Sequence, residues 1–199
     1  MFTEFINSIK NVVSTLVLEG MKTIGVFGTT NTGTTAVGLS IIKSMMDKMN
    51  VSDKKPSLMV VSYEKNTSCL IDIMTEIGYE FKTIVFCHAF HQLSHVSYHN
   101  YDYVFFDMVD RNSLSACLNE FHKSDNSATV VFSEALHRVR YGNPCEDETI
   151  NQINVSMKSH AIGRRDTATA IMVSRSENTA VMKQLHGFSN TAKRVVTLN

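Results

Sequence analysis

The sequence predicts an α/β fold: a mostly parallel central sheet with helices packed on both faces. Three observations predict it. Short apolar runs alternate with apolar-periodic segments along most of the 199 residues, the pattern of strands joined by crossover helices. The run Ile24 to Phe27 leads through a glycine-containing stretch, Gly28 to Thr35, straight into the helical pattern Ala36 to Met46. Acidic side chains, Glu64, Asp107 and Glu134, close three other apolar runs, and open α/β sheets bind ligands beyond the carboxyl ends of their strands.

The elements follow in order. Residues 2–18 carry Phe2, Phe5, Ile6, Ile9, Val12, Val13, Leu16 and Val17 at spacings of three and four, an amphipathic helix that ends near Gly20. This segment, 1–20, packs either on its own domain, the default, or on a neighbouring subunit; residues 21–199 form the main domain. After the first strand and its helix, the polar connector 51–56 leads into a buried strand over 57–63, with Glu64 at its end. Leu70, Ile71, Ile73, Met74 and Ile77 predict a helix over 67–77, stopped by Gly78. Strands are expected over 81–86, 102–107, 128–132 and 169–173, with helices over 112–122 and 150–158 and a loop over 139–149. Two last strands, 179–183 and 193–198, flank Gly187-Phe-Ser-Asn and read as an antiparallel hairpin at one edge.

Composition narrows the class. A chain with 43% hydrophobic and 19% charged residues is globular, and its length fits one domain with a sizeable core. Lys+Arg and Asp+Glu are both 19, which excludes the broad basic surface of a non-specific nucleic-acid binder, so any nucleic-acid contact must be local. Cys69, Cys87, Cys117 and Cys145 are scattered without a C-x-x-C and read as reduced thiols. No cleavable leader is evident, because Glu4 sits early, and no apolar run approaches the ~18 residues that span a bilayer. The expectation is a cytoplasmic protein without a membrane partner.

Gly28-Thr29-Thr30-Asn31-Thr32-Gly33-Thr34-Thr35 matches G-x-x-x-x-G-K-[ST] at every fixed position but one. Between a strand and a helix, that spacing lets backbone N–H groups and the helix N-terminus converge on phosphate. Thr35 supplies the hydroxyl for Mg²⁺. Thr34 stands where the motif has its lysine, and a neutral hydroxyl replaces a charge-assisted bond roughly twice as strong. The bland alternative is an ordinary turn with two glycines. Tyr103-Val-Phe-Phe-Asp107 is the hydrophobic strand plus Asp by which phosphate-loop enzymes hold Mg²⁺. Glu64 is placed to polarise an attacking water as a general base. Acids also sit at strand ends simply because the chain re-enters solvent.

These segments, in this order, resemble the RecA-fold ATPases, in the branch of DnaB-type replicative helicases, KaiC-like proteins and small phage recombinases. VVSYEKNTSCLIDIMTEIGYEF resembles the segment with the catalytic glutamate, which maps to Glu64. YDYVFFDMVD resembles the Walker B strand and maps its metal-linked acid to Asp107. VVFSEALHR resembles the strand ending in a Ser-Gln sensor, giving Ser133 and, in place of glutamine, Glu134. SHAIGRRDTATAIMVSRSEN resembles the stretch beside the nucleic-acid loop, and MKQLHGFSNTAK the hairpin that reaches the next subunit's nucleotide. Lys183 matches its lysine finger, while Leu185 stands where the arginine finger belongs.

The resemblance implies a three-layer, RecA-like phosphate-loop NTPase, with ATP and Mg²⁺ as cofactors. It implies a homo-oligomer with DNA and with replication or recombination proteins as partners. Glu64, Asp107 and Lys183 would be catalytic, and Lys158, Arg164 and Arg165 would contact DNA; surface ion pairs are the alternative for these last three. The missing lysine, glutamine and arginine imply weak or lost hydrolysis, since an arginine finger alone is worth ~10³–10⁵ in rate. Two other readings stay open. One is a non-catalytic assembly or regulatory module. The other is a GTPase of the signal-recognition-particle kind, which Val109 and the lack of a T-K-x-D motif disfavour. His88, His91, His95 and His99 fall on one stripe of a helix, either a Zn²⁺ site with Cys87 nearby or, without a carboxylate to join them, a solvated polar face.

Overall fold

The computed structural model describes residues 2–16, 21–28, 32–49, 56–62, 65–80, 84–87, 101–107, 128–135, 151, 168–174 and 192–197. Three helices, α1 (Phe2–Ser14), α2 (Thr34–Met49) and α3 (Thr67–Ile77), are among them. Seven strands accompany them: β1 (Thr23–Gly28), β2 (Leu58–Ser62), β3 (Ile84–Cys87), β4 (Tyr103–Asp107), β5 (Thr129–Ala135), β6 (Ala168–Ser174) and β7 (Ala192–Thr197). The strands form one sheet in the order β3-β2-β4-β5-β1-β6-β7. Every pairing in it is parallel.

An all-parallel sheet needs both faces covered, and the alternating residues show that they are. One face presents Leu58, Val60, Tyr103, Phe105, Val131, Ile24, Val26 and Ile171 to a core shared with α1, α2 and α3. On the other face Met59, Val61, Val104, Phe106, Val130, Phe132 and Phe27 are equally buried, with the rings of Phe27 and Phe132 meeting edge to face at 5.6 Å. Such strands read as continuous apolar runs rather than as alternation, which is how they appear in the sequence.

α2 lies over β1, β5 and β4, and α1 and α3 pack against it. α3 is bounded by local chemistry. The side chain of Asn66 accepts from the Cys69 N–H at 2.8 Å, and Gly78, at φ 89°, turns the chain out of the helix. The next residue, Tyr79, donates its hydroxyl to the Leu39 carbonyl at 2.6 Å. Burial, and secondarily Asp47, pushes the Tyr79 phenol well above its ordinary pKa, so it stays a protonated donor linking α3 to α2.

The apolar stripe of α1 is used within the domain: Ile6, Ile9 and Val13 are fully or almost fully buried, and the helix lies against α2 and α3. The burial of these three side chains contributes about 1.5–3 kcal/mol each. The alternative in which this stripe docks on a neighbouring subunit is therefore not available to those residues.

At the sheet edge β7 pairs directly with β6 in parallel, Thr169 opposite Ala192 through Ser174 opposite Thr197. The companion strand expected over 179–183, and with it the antiparallel hairpin, lies outside the described residues. One expectation is corrected: β5 continues past Phe132 to Ala135, so Ser133 and Glu134 stand within a strand rather than after it.

Candidate functional site

The loop after β1 delivers the chain into α2 through Gly33, whose φ of 87° lies in the left-handed region that favours glycine. A Cβ at Gly33 would also collide with the ring of Phe5 from α1, so the N-terminal helix packs on the loop itself. At the other end of the loop, the space a Cβ would take at Gly28 is filled by Thr32 Oγ1 and Thr34 Cγ2. The first helical hydrogen bond of α2 runs from Val37 N–H to the Gly33 carbonyl at 3.0 Å. The preceding N–H groups therefore point out of the helix end, as in any N-terminus, and no acid stands in the first turn of α2 to oppose an anion there.

Asp107 is the centre of the site. It ends β4, is fully buried, and receives hydroxyls from three elements. Thr35, in the first turn of α2, donates to Oδ1 at 2.7 Å. Ser133 on β5 donates to the same oxygen at 2.8 Å, and Ser62 on β2 donates to Oδ2 at 3.1 Å. Lys65, just beyond β2, brings its ammonium to 3.6 Å of Oδ2. Burying a carboxylate is tolerable only when its lone pairs are taken, and hydrogen bonds to a charged group are worth about 1.5–3 kcal/mol each.

The register explains the convergence. Ser62 stands opposite Asp107 across the β2–β4 pair, and Asp107 opposite Ser133 across the β4–β5 pair. Ser133 in turn stands opposite Val26 on β1. Neighbours in one row point to one face, so Ser62, Asp107 and Ser133 line up in one row on the α2 face of the sheet. The interposition of β5 between β1 and β4 puts Ser133 between the loop strand and Asp107.

Of the residues singled out in the sequence, Thr35, Asp107 and Ser133 come together. Glu134 does not join them: it follows Ser133 in the strand, stands opposite Phe27, and so belongs to the other face. Ser133 and Glu134, the two expected sensor positions, therefore stand on opposite faces of the sheet. Thr32, before Gly33, and Thr34, the first residue of α2, are buried beside Gly28. Thr29, Thr30, Asn31, Glu64, Lys158, Arg164, Arg165, Lys183 and the histidines at 88, 91, 95 and 99 lie outside the described residues. No group of three or more metal-ligating side chains occurs among the described residues.

Ser62 and Lys65 were not anticipated. Ser62 ends β2 on the face of Leu58 and Val60, and its place opposite Asp107 comes from the pairing of two strands far apart in the chain. Lys65 precedes the Asn66 cap of α3, and only the folded chain brings its side chain to Asp107.

The donor set suits a small hard cation. A threonine hydroxyl and a carboxylate oxygen 2.7 Å apart are oxygen ligands of the kind Mg²⁺ takes, with water and phosphate completing its shell. When bound, such an ion would polarise phosphoryl oxygens, with Thr35 and Asp107 as its protein-side contacts. Among the described residues no helix is long and apolar enough to cross a membrane. No family model matches the chain, and no curated protein matches it.

Proposed function

We propose that the chain is a RecA-like, phosphate-loop nucleotide-binding protein, akin to the core of a DnaB-type helicase, that takes ATP with Mg²⁺ and hydrolyses it weakly or not at all. The observation that carries the reading is the hydrogen bond from Thr35, at the start of the helix after the glycine loop, to the buried Asp107 at the end of β4. Nucleotide-triphosphate sites of this class use that hydroxyl and that carboxylate to hold the metal. The glycine loop, the left-handed Gly33 and a helix end without acids supply the anion side. Thr34, which replaces the loop lysine, accounts for the expected weakness.

Restoring that charge tests the reading. Thr34→Lys is expected to tighten ATP binding by about tenfold or more, the worth of one added charge-assisted contact, in calorimetric titrations with and without Mg²⁺. A folded variant with unchanged affinity would count against a phosphate-binding loop. Thr34 is largely buried, so the folded state of the variant must be checked by circular dichroism alongside.

The role in DNA replication or recombination belongs to the same proposal, with Lys158, Arg164 and Arg165 as phosphate contacts and Lys183 serving a neighbouring subunit. With ATP, Mg²⁺ and single-stranded DNA, light scattering is expected to register an assembly well above the 22.3 kDa chain. Replacing Arg164 and Arg165 by alanine should weaken the DNA dependence and flatten its salt slope. A single species of monomer mass under all these conditions removes the ring or filament reading.

A second reading, the non-catalytic assembly module, is favoured by one specific feature. Asp107 is already satisfied by three hydroxyls and a lysine, so the site is stable as a structural clasp between β2, β4, β5 and α2. The Thr34→Lys titration separates the two.

A further inference from the structure

We propose that Lys65 supplies the cation that the glycine loop lacks, reaching the phosphates of a bound nucleotide from the end of β2 instead of from within the loop. The proposal rests on the nucleotide-binding reading above and names a binding residue that reading does not contain. The ammonium of Lys65 lies 3.6 Å from Asp107 Oδ2, and Oδ1 of the same carboxylate accepts from Thr35 at 2.7 Å. The lysine head, the carboxylate and the first turn of α2 therefore adjoin one another. In a phosphate loop the missing lysine would start from Thr34, adjacent to Thr35, and its ammonium would work in the space in front of this same turn.

The backbone of Lys65 is fixed by a hydrogen bond, while its head is held by a longer ion pair. Its N–H donates to Ser62 Oγ at 3.3 Å, and the following Asn66 caps α3. The side chain remains partly exposed, at 28%, beside a carboxylate that is not exposed at all. At 3.6 Å the pair is an ion pair longer than a hydrogen bond, on a flexible four-carbon stem.

Occupancy of the site would redirect that stem. Thr35 and Asp107 would hold a divalent cation, and the carboxylate, neutralised by it, would hold Lys65 less firmly. The ammonium of Lys65 would then be free to turn on its stem toward the negative oxygens of a polyphosphate bound beside the metal. Metal and nucleotide would in this way bind cooperatively, each favouring the position of Lys65 that suits the other.

The test is a cycle of variants titrated calorimetrically with ATP, with and without Mg²⁺, each checked for folding by thermal melt. Lys65→Ala is expected to weaken Mg·ATP binding by about tenfold or more, Lys65→Arg to keep most of it, and Thr34→Lys to recover most of the loss in the Lys65→Ala background. That recovery is the readout a purely structural lysine would not move. If Lys65→Ala fails to fold, Lys65→Gln, which keeps the stem and a donor without the charge, carries the same comparison. Affinity unchanged on removal of the charge, or a loss that Thr34→Lys does not restore, overturns the assignment of Lys65 and leaves nucleotide binding standing. Absence of ATP binding in both the natural chain and Thr34→Lys overturns nucleotide binding itself, and the role of Lys65 with it.

Discussion

Asp107→Ala is expected to abolish Mg²⁺-dependent nucleotide binding and to cost about 2–4 kcal/mol of stability, read as a lowered urea midpoint with an unchanged slope. The variant removes the one acceptor shared by Thr35, Ser133 and Ser62. All three hydroxyls are buried, and each loses a charge-assisted bond without gaining water. Lys65 loses its counter-ion as well, though its partial exposure lets solvent absorb most of that loss. Asp107→Asn keeps the shape and one carbonyl acceptor, so it should recover much of the stability and none of the metal dependence. That split separates the clasp that the carboxylate provides from the metal chemistry proposed for it. If Asp107→Asn binds Mg·ATP as well as the natural chain does, the metal role of Asp107 is refuted.

Phe105→Ala should be costlier still, about 3–5 kcal/mol, the range for a buried ring truncated in a core. Phe105 is two residues before Asp107 on the same face, fully buried, and its ring meets α2 at Gly38. A Cβ built on Gly38 would fall 2.5 Å from Phe105 Cε2, so helix and strand approach over a glycine shaped to the ring. This contact sets the height of α2 above β4 and with it the reach of Thr35 to Asp107. Gly38→Ala is accordingly expected to cost about 1–3 kcal/mol by overpacking. In the double variant Gly38→Ala/Phe105→Leu the two costs should not add, because the smaller side chain leaves room for the new methyl. Additive costs in denaturant unfolding would show that Gly38 and Phe105 do not meet in the way described.

Much of this architecture is legible in local chemistry. The bounds of α3 follow from Asn66 and Gly78, residues whose side chain and backbone freedom act within one turn. Strands β1, β2, β4 and β6 follow from apolar runs short enough to be strands and too continuous to be one-sided. The neighbour of β7 is not legible in its own residues, because a strand looks the same whichever strand it pairs with; the parallel pairing with β6 belongs to the sheet. The end of β5 is hidden for a related reason. Ser133 and Glu134 are polar, and polar residues usually mark a strand's exit, but here Ser133 stays in the sheet because Asp107 accepts its hydroxyl.

The class of fold, the strand–glycine–helix unit and the candidacy of Thr35, Asp107 and Ser133 are written in stretches of neighbouring residues. That these three meet, that Ser62 and Lys65 join them and that Glu134 turns away follows from the assembled sheet. So does the placing of Phe5 of α1 against Gly33. The physical reason is register: side chains alternate along a strand, so whether a polar residue faces the site or the opposite layer depends on which partner it stands beside. That partner is chosen by the packing of the whole sheet, across separations such as the 72 residues between Thr35 and Asp107.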